Sequence, residues 1–239
     1  MRVYIGFDDT DTHDSDRGTG KLARWFEKEL PEECRLWGVV RQQLLLSDRI
    51  HYTSHNSSAC AILETSNVDI MNELISKAIK HIERHFISGS DPGLCISHES
   101  HPALSSLIRF GRRCTMEVVT QREALQAAGG AHLSGHGGTN DGIIGAAAAV
   151  GLTAYGWGGR FIEFGRLRDQ PEALAVSHLE QIGIAVVSID RNAQVLAAEE
   201  MVNTKGWLRP RLWGGRPVLP VTYGGNGHWE AIGEKRRKK

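Results

Sequence analysis

The sequence has no paired cysteines, no excess of either charge and no apolar run of membrane-spanning length. Each absence removes a class of function. Its four cysteines, Cys34, Cys60, Cys95 and Cys114, are scattered and never form a C-x-x-C pair. That spacing excludes a zinc ribbon and fits reduced, mostly buried thiols in a cytoplasmic protein. The chain carries 28 basic and 28 acidic residues, so the whole molecule exerts no strong pull on nucleic acid or membrane. Any contact with RNA has to come from a local patch. No segment reads as a membrane span, and Asp8 and Asp9 interrupt the first apolar run where a signal peptide would need its hydrophobic core. Internal repeats, low-complexity blocks and long linkers are also missing from its 239 residues.

What is present is concentrated near the start. Val3-Tyr4-Ile5-Gly6-Phe7 reads as a buried strand and runs straight into Asp8-Asp9-Thr10-Asp11. Three carboxylates in four residues repel one another unless a cation or donor neutralises them. Oxygen ligands at a strand end suit Mg²⁺ better than a soft metal, which makes Asp8, Asp9 and Asp11 candidate metal ligands. Gly18-Thr19-Gly20-Lys21 follows and opens a helix. It lacks the first glycine and the spacer of a Walker A motif, yet free N–H groups at a helix start with a lysine in the first turn suit an anion. Gly18, Gly20 and Lys21 are therefore candidates for phosphate, and the Thr19 hydroxyl for binding a metal or accepting a phosphoryl group. A capped polar turn is the plainer reading of the same residues.

The pattern beyond this predicts an α+β protein. Strands are expected over residues 2–7, 36–42, 58–64 and 94–97, with helices over 20–30 and from Asn67, as its cap, through Phe86. Ile70, Leu74, Ile75, Ala78, Ile79, Ile82 and Phe86 give that second helix the clearest amphipathic stripe in the chain. The order is βαββαβ, a ferredoxin-like first domain of residues 1–100, followed by a mixed α/β second domain of residues 101–239. In the second, Thr120 and Glu123 form a capping box ahead of a helix that Gly129 and Gly130 stop. Strands are expected at 161–164, 184–189 (buried) and 218–221, with a helix opened by Pro171 that carries Leu174, His178, Leu179 and Ile182.

A second glycine loop, Gly137-Gly138-Thr139-Asn140-Asp141-Gly142, precedes an alanine-rich helix whose small residues permit close packing on a sheet. Gly138, Thr139, Asn140 and Gly142 are candidates to close over a nucleotide, against the plainer reading of a tight turn. His81 and His85 stand at i and i+4 on the second helix, with no third ligand nearby in sequence, on what reads as a solvated face. His132 and His136 flank the second loop, and His51 and His55 lie with Asn56, Ser57 and Ser58 in a loop that would face the acids. Trp207-Leu208-Arg209-Pro210-Arg211-Leu212-Trp213 interleaves rings with cations, as a holder of unpaired bases does. Core tryptophans with arginines facing water give the same pattern. Arg109, Arg112 and Arg113 form a smaller cluster, and the tail at 235–239 adds weak attraction to polyanions.

Ile5-Gly6-Phe7-Asp8-Asp9-Thr10-Asp11 with Gly18-Thr19, the segment 51–61, Asp91-Pro92-Gly93 and Gly142-Ile143-Ile144-Gly145-Ala146 together resemble the archaeal tRNA-isoleucine agmatinylcytidine synthetase family. The resemblance is to the family's N-terminal kinase-like and ferredoxin-like portion. It implies ATP and Mg²⁺ as cofactors, with agmatine and the anticodon cytidine of a tRNA as the family's substrates. It also implies a threonine that is itself phosphorylated, a position Thr19 matches. The family's OB-fold and zinc ribbon have no counterpart here, so the expectation is a short stand-alone relative that keeps the nucleotide chemistry. Its acceptor would be an RNA or a small amine. The expected activity is ATP- and Mg²⁺-dependent phosphoryl transfer or ligation, and the second reading is a non-catalytic nucleotide- or RNA-binding module. A HAD-like phosphatase of the D-x-D-x-T/V type fits less well, because His13 stands where Thr or Val belongs.

Overall fold

The computed structural model describes residues 1–50, 52, 55–190 and 195–233. His51 and the basic tail at 235–239 lie outside the described residues. The elements in chain order begin with β1 (Arg2–Asp8), α1 (Thr19–Trp25), a 3₁₀ turn (Phe26–Glu29), β2 (Cys34–Gln43), β3 (Ser57–Thr65), α2 (Met71–His85) and β4 (Gly93–His98). They continue with α3 (Leu104–Arg113), α4 (Gln121–Ala128), β5 (His132–Gly135), α5 (Gly142–Tyr155) and β6 (Trp157–Glu163). The last part holds β7 (Ala173–Ala175), α6 (Val176–Gln181), β8 (Ala185–Ser188), β9 (Met201–Asn203), β10 (Arg211–Trp213), β11 (Arg216–Gly225) and β12 (His228–Ala231).

The fold is α+β. Strands β4, β1, β3 and β2 lie side by side in that order, every pair antiparallel. β3 thus sits between β1 and β2 and splits the first βαβ unit, as the βαββαβ order leads one to expect. β5 extends this sheet beyond β4, while β6 pairs with β2 and carries it on through β10, β11, β12, β9 and β7, with β8 parallel to β11.

Alternation along β1 explains the layers. Val3, Ile5 and Phe7 point to one face, where Leu22 and Phe26 and the stripe Ile70, Leu74, Ala78 and Ile82 close over them. Each such large side chain, fully buried, contributes roughly 1.5–3 kcal/mol. Tyr4 points to the other face, which α5 covers with Ala146, Ala147 and Val150, and α3 with Leu107 and Phe110. Gly6 lets the alanine helix approach: a Cβ there would lie 2.2 Å from the Ala146 carbonyl oxygen.

Several local expectations change. α1 ends at Trp25 and tightens into the 3₁₀ turn, and Leu30 is extended at φ −66°, ψ 142°, because the residue before Pro31 is forced out of the helical region. Asn67 does not cap α2. Its side chain accepts the Asp69 N–H at 2.9 Å, a local turn that competes with capping, and the helix begins at Met71. The capping box at Thr120 and Glu123 is present, and Gly129 ends α4 at φ +48°. Pro171 opens no helix: residues 173–175 join β9 as β7, so α6 starts only at Val176. β8 is half-buried rather than buried, with Val187 and Ile189 exposed at the edge. All four cysteines are free thiols. Among the described residues no helix is long and apolar enough to cross a membrane.

Candidate functional site

A cleft of about 860 Å³ opens over the end of β1, and it gathers Asp8, Asp9, Asp11, Gly18, Thr19, Gly20, Lys21 and Gly142 on one lining. The tight turn after β1 is held in place from several sides. Asp9 takes φ +48°, a left-handed conformation that Asp tolerates better than most residues. Its carbonyl accepts the Asp91 N–H at 3.1 Å, and the Thr10 carbonyl accepts the Ile87 N–H at 3.0 Å.

Thr19 sits at the centre of this turn. Its hydroxyl donates to Asp11 Oδ1 at 3.1 Å and accepts the Thr10 hydroxyl at 3.1 Å and the Thr10 N–H at 3.2 Å. The Thr19 N–H also reaches Asp11 Oδ1, at 3.0 Å. One carboxylate oxygen therefore holds both the backbone and the side chain of Thr19, in the relation of a base to a nucleophile. Lys21 lines the cleft with its ammonium 5.1 Å from the Trp25 ring centre.

Asp8 lies deepest. A Cβ on Gly145 would fall 1.6 Å from Asp8 Oδ2, so only a glycine in the first turns of α5 admits this carboxyl. Burial first, then the charges of Asp9 and Asp11, push its pKa up to about 8, opposed by a hydrogen bond from the Asp9 backbone. The charged form is thus disfavoured until a cation arrives. The donor set is all oxygen, which fits Mg²⁺.

The cleft also holds a wall of arginines. Arg24, Arg41, Arg160, Arg168 and Arg209 line the same cleft. Among the described residues none of them has a carboxylate within ion-pairing distance. Arg41, Arg160 and Arg211 stand opposite one another across β2, β6 and β10, an arrangement that costs stability through like-charge repulsion. Burial and then Arg168 and Arg24 bring the Arg209 pKa down to about 10, and burial with Arg160 lowers Arg41 and Arg211. Arg209 stacks 4.1 Å from the Trp207 ring centre. The Nε atoms of Arg24 and Arg209 and Nε1 of Trp207 are buried donors without partners. Unsatisfied buried donors are rare and costly, and here they surround an open cleft rather than a packed core.

The second glycine loop behaves differently. Gly138, Thr139 and Asn140 lie off the cleft lining. The N–H groups of Thr139, Asn140 and Asp141 all donate to the Asp91 carboxylate, at 3.0, 2.7 and 3.2 Å. This loop has an anion of its own, supplied by the chain.

Other expectations sort in the same way. His55, Asn56, Ser57 and Ser58 line the same cleft as the acids. His132 and His136 are bridged by Ser134 Oγ at 2.9 and 2.8 Å, beside rather than on the lining. Arg113 is taken by Glu117 and Glu123, Arg112 by the Tyr155 ring and Arg109 by Ser106 Oγ. Cys114 lines the cleft with its thiol pushed up to about 12 by burial, which keeps it protonated and unreactive. The role of Asp91 in the second loop and the place of Arg24, Arg41, Arg160 and Arg168 on the cleft have no sequence signal. These residues are far apart in the chain.

Fold and cleft define a class: an α+β domain in which carboxylates and guanidiniums face one another over one cavity. No protein-family model and no curated protein matches the sequence. Solved structures do. The chain is similar to TiaS, an agmatidine synthetase acting on an isoleucine tRNA, in its complex with that tRNA and ATP. That match has 27% identity and a TM-score of 0.54, over 63% of this chain and 36% of that one. A TiaS complex with the same tRNA, AMPCPP and agmatine matches at 25% identity and TM-score 0.52, over 76% and 44% of the two chains. A tRNA fluorescent labeling enzyme matches at 27% and 0.54, over 63% and 36%. The likeness expected from the opening acid motif is thus present in the fold, which is that of part of a tRNA-modifying enzyme. The chain spans 36% to 44% of the length of these structures.

Proposed function

We propose that this chain is an ATP- and Mg²⁺-dependent phosphoryl-transfer enzyme, with Thr19 as the side chain that first receives the phosphoryl group. The observation that carries this is the shared position of Asp8, Asp9, Asp11 and Thr19 in a cleft that is also lined by arginines without ion pairs among the described residues. Residues 1–100 supply the acids, Thr19, Arg24 and Arg41, and residues 101–239 supply Arg160, Arg168, Trp207 and Arg209.

Asp8, Asp9 and Asp11 would hold Mg²⁺, which when bound neutralises phosphate charge during transfer. Asp11 takes the proton from the Thr19 hydroxyl that it already holds. The Thr19 Oγ1–phosphorus bond then forms as the bond from phosphorus to the nucleotide leaving group breaks. Lys21 and the arginine wall bind the phosphates and keep them in line. The solved neighbours bind tRNA, ATP and agmatine. For this chain we assign the arginine row and the Trp207–Arg209 stack to the phosphates and a base of an RNA acceptor, since every base has a face that can stack.

Calorimetric titration of ATP with and without Mg²⁺, on the wild type and Asp9→Ala, tests the reading. The wild type binds ATP in a Mg²⁺-dependent manner, and Asp9→Ala weakens that binding at least about a hundredfold with folding intact. Equal affinity in the two proteins would remove the metal assignment. Magnesium-dependent binding without turnover would leave a nucleotide-binding module instead.

A further inference from the structure

Off the cleft lining, three side chains that the proposed chemistry does not use come together. His81 on α2 is only 1% exposed, packed edge-on against Phe26 and Phe7 with ring centres 5.3 and 6.3 Å away. The expectation of a solvated face therefore fails for this residue: α2 turns it inward against α1. Its Nε2 lies 3.0 Å from the Leu22 carbonyl oxygen. A carbonyl only accepts, so Nε2 carries the hydrogen and Nδ1 presents a bare lone pair. That Nδ1 is buried and has no hydrogen-bond partner. His85 stands one turn later, its ring centre 4.7 Å from that of His81. The third partner that sequence spacing lacked is Glu29, delivered by the 3₁₀ turn after α1. One ligand atom from each of Glu29, His81 and His85 lies within 4.8 Å of the other two.

We propose that Glu29, His81 and His85 form a binding site for a borderline divalent transition ion, with Zn²⁺ as the physiological occupant. Two imidazoles at i and i+4 with one carboxylate are a known donor set for zinc, which leaves a fourth position for water. Donors this close reach a shared ion at bonds of roughly 2.0–2.2 Å by adjusting their side chains. The Leu22 carbonyl serves as the outer partner that fixes the tautomer and orientation of a metal-bound histidine. Arg84 lies near both rings, and Arg17 donates to the His85 carbonyl at 3.0 Å. Arg84 takes Glu29 Oε1 at 2.9 Å, which leaves the second carboxylate oxygen for the ion. The same two arginines repel a bound cation and keep the site weaker than a zinc finger. An ion here ties the segment after α1 to α2, and so anchors the helix whose other end carries Thr19.

The experiment uses the full chain stripped with chelator and titrated with Zn²⁺ against a chromophoric competitor, and separately with Co²⁺ followed by visible absorption. The variants are His85→Gln and Glu29→Gln, both at half-exposed positions, and Asp9→Ala in the cleft. The wild type takes up zinc and gives the cobalt spectrum of a nitrogen-ligated ion. His85→Gln and Glu29→Gln lower zinc affinity at least about tenfold, and Asp9→Ala leaves it unchanged. Absence of zinc binding overturns the site. So does zinc binding that survives both ligand variants, or that is lost only with Asp9→Ala.

Discussion

The loop after β1 and the loop before α5 both set glycines ahead of a helix, yet their polar groups are used in opposite ways. In the first, Asp11 and Thr19 hold each other, Asp8 is buried with its pKa pushed up to about 8, and the carboxylates face an open cleft. In the second, three backbone N–H groups converge on Asp91 and the loop is closed by the chain itself. The difference teaches that a loop-to-helix glycine motif marks a place where an anion fits, not where the anion comes from. Asp91 also joins the two, because its own N–H donates to the Asp9 carbonyl.

The sharpest way to break the contrast is Gly145→Ala. A new Cβ 1.6 Å from Asp8 Oδ2 drives the carboxyl or α5 away. We expect a loss of about 3 kcal/mol by denaturant titration, at the upper end for overpacking. Asp91→Ala comes next. It frees three backbone N–H groups and the Thr139 hydroxyl on a partly exposed loop and costs about 1–2 kcal/mol. If the second loop is an anion cradle filled by Asp91, inorganic phosphate restores part of that stability in the variant and does nothing for the wild type.

Specific to the first loop is the pH response of Asp8. Its folded pKa stands above the unfolded value, so between about pH 4 and pH 8 the native state holds a proton that the unfolded chain has released. Stability of the metal-free protein therefore falls as pH rises through that window. Asp8→Asn flattens the slope, as seen in melting temperature against pH, and saturating Mg²⁺ does the same in the wild type. A slope unchanged in Asp8→Asn would assign it to another group. Thr19→Val has the smallest effect on folding, about 1 kcal/mol for the lost hydroxyl bonds. It removes phosphate from residue 19 in mass spectrometry after incubation with ATP, and phosphate retained on the same peptide at another residue would refute the acceptor role.

The sequence was most legible where a property is local. Alternation in β1, the stripe from Ile70 to Ile82 and the Thr120–Glu123 box each depend on neighbours a few residues away, and each is found. The acid cluster and Thr19 were legible for the same reason. Pro171 misled because pairing with β9, about thirty residues on, overrode a local helix signal. His81 misled because burial is set by what packs on a face. Its position beside the apolar stripe did not reveal that α1 and Phe26 would cover it.

By itself, then, the chain determined the strand and helix order of its first hundred residues, its free thiols and the residues that gather at the end of β1. Only the tertiary structure decided that Arg41, Arg160 and Arg211 form one row, that Asp91 fills the second loop, and that Glu29 meets His81 and His85. The reason is physical. Periodicity and capping act over one or two turns of chain, whereas charge, hydrogen bonding and metal ligation act through space, between residues that only the packed sheet and helices bring together.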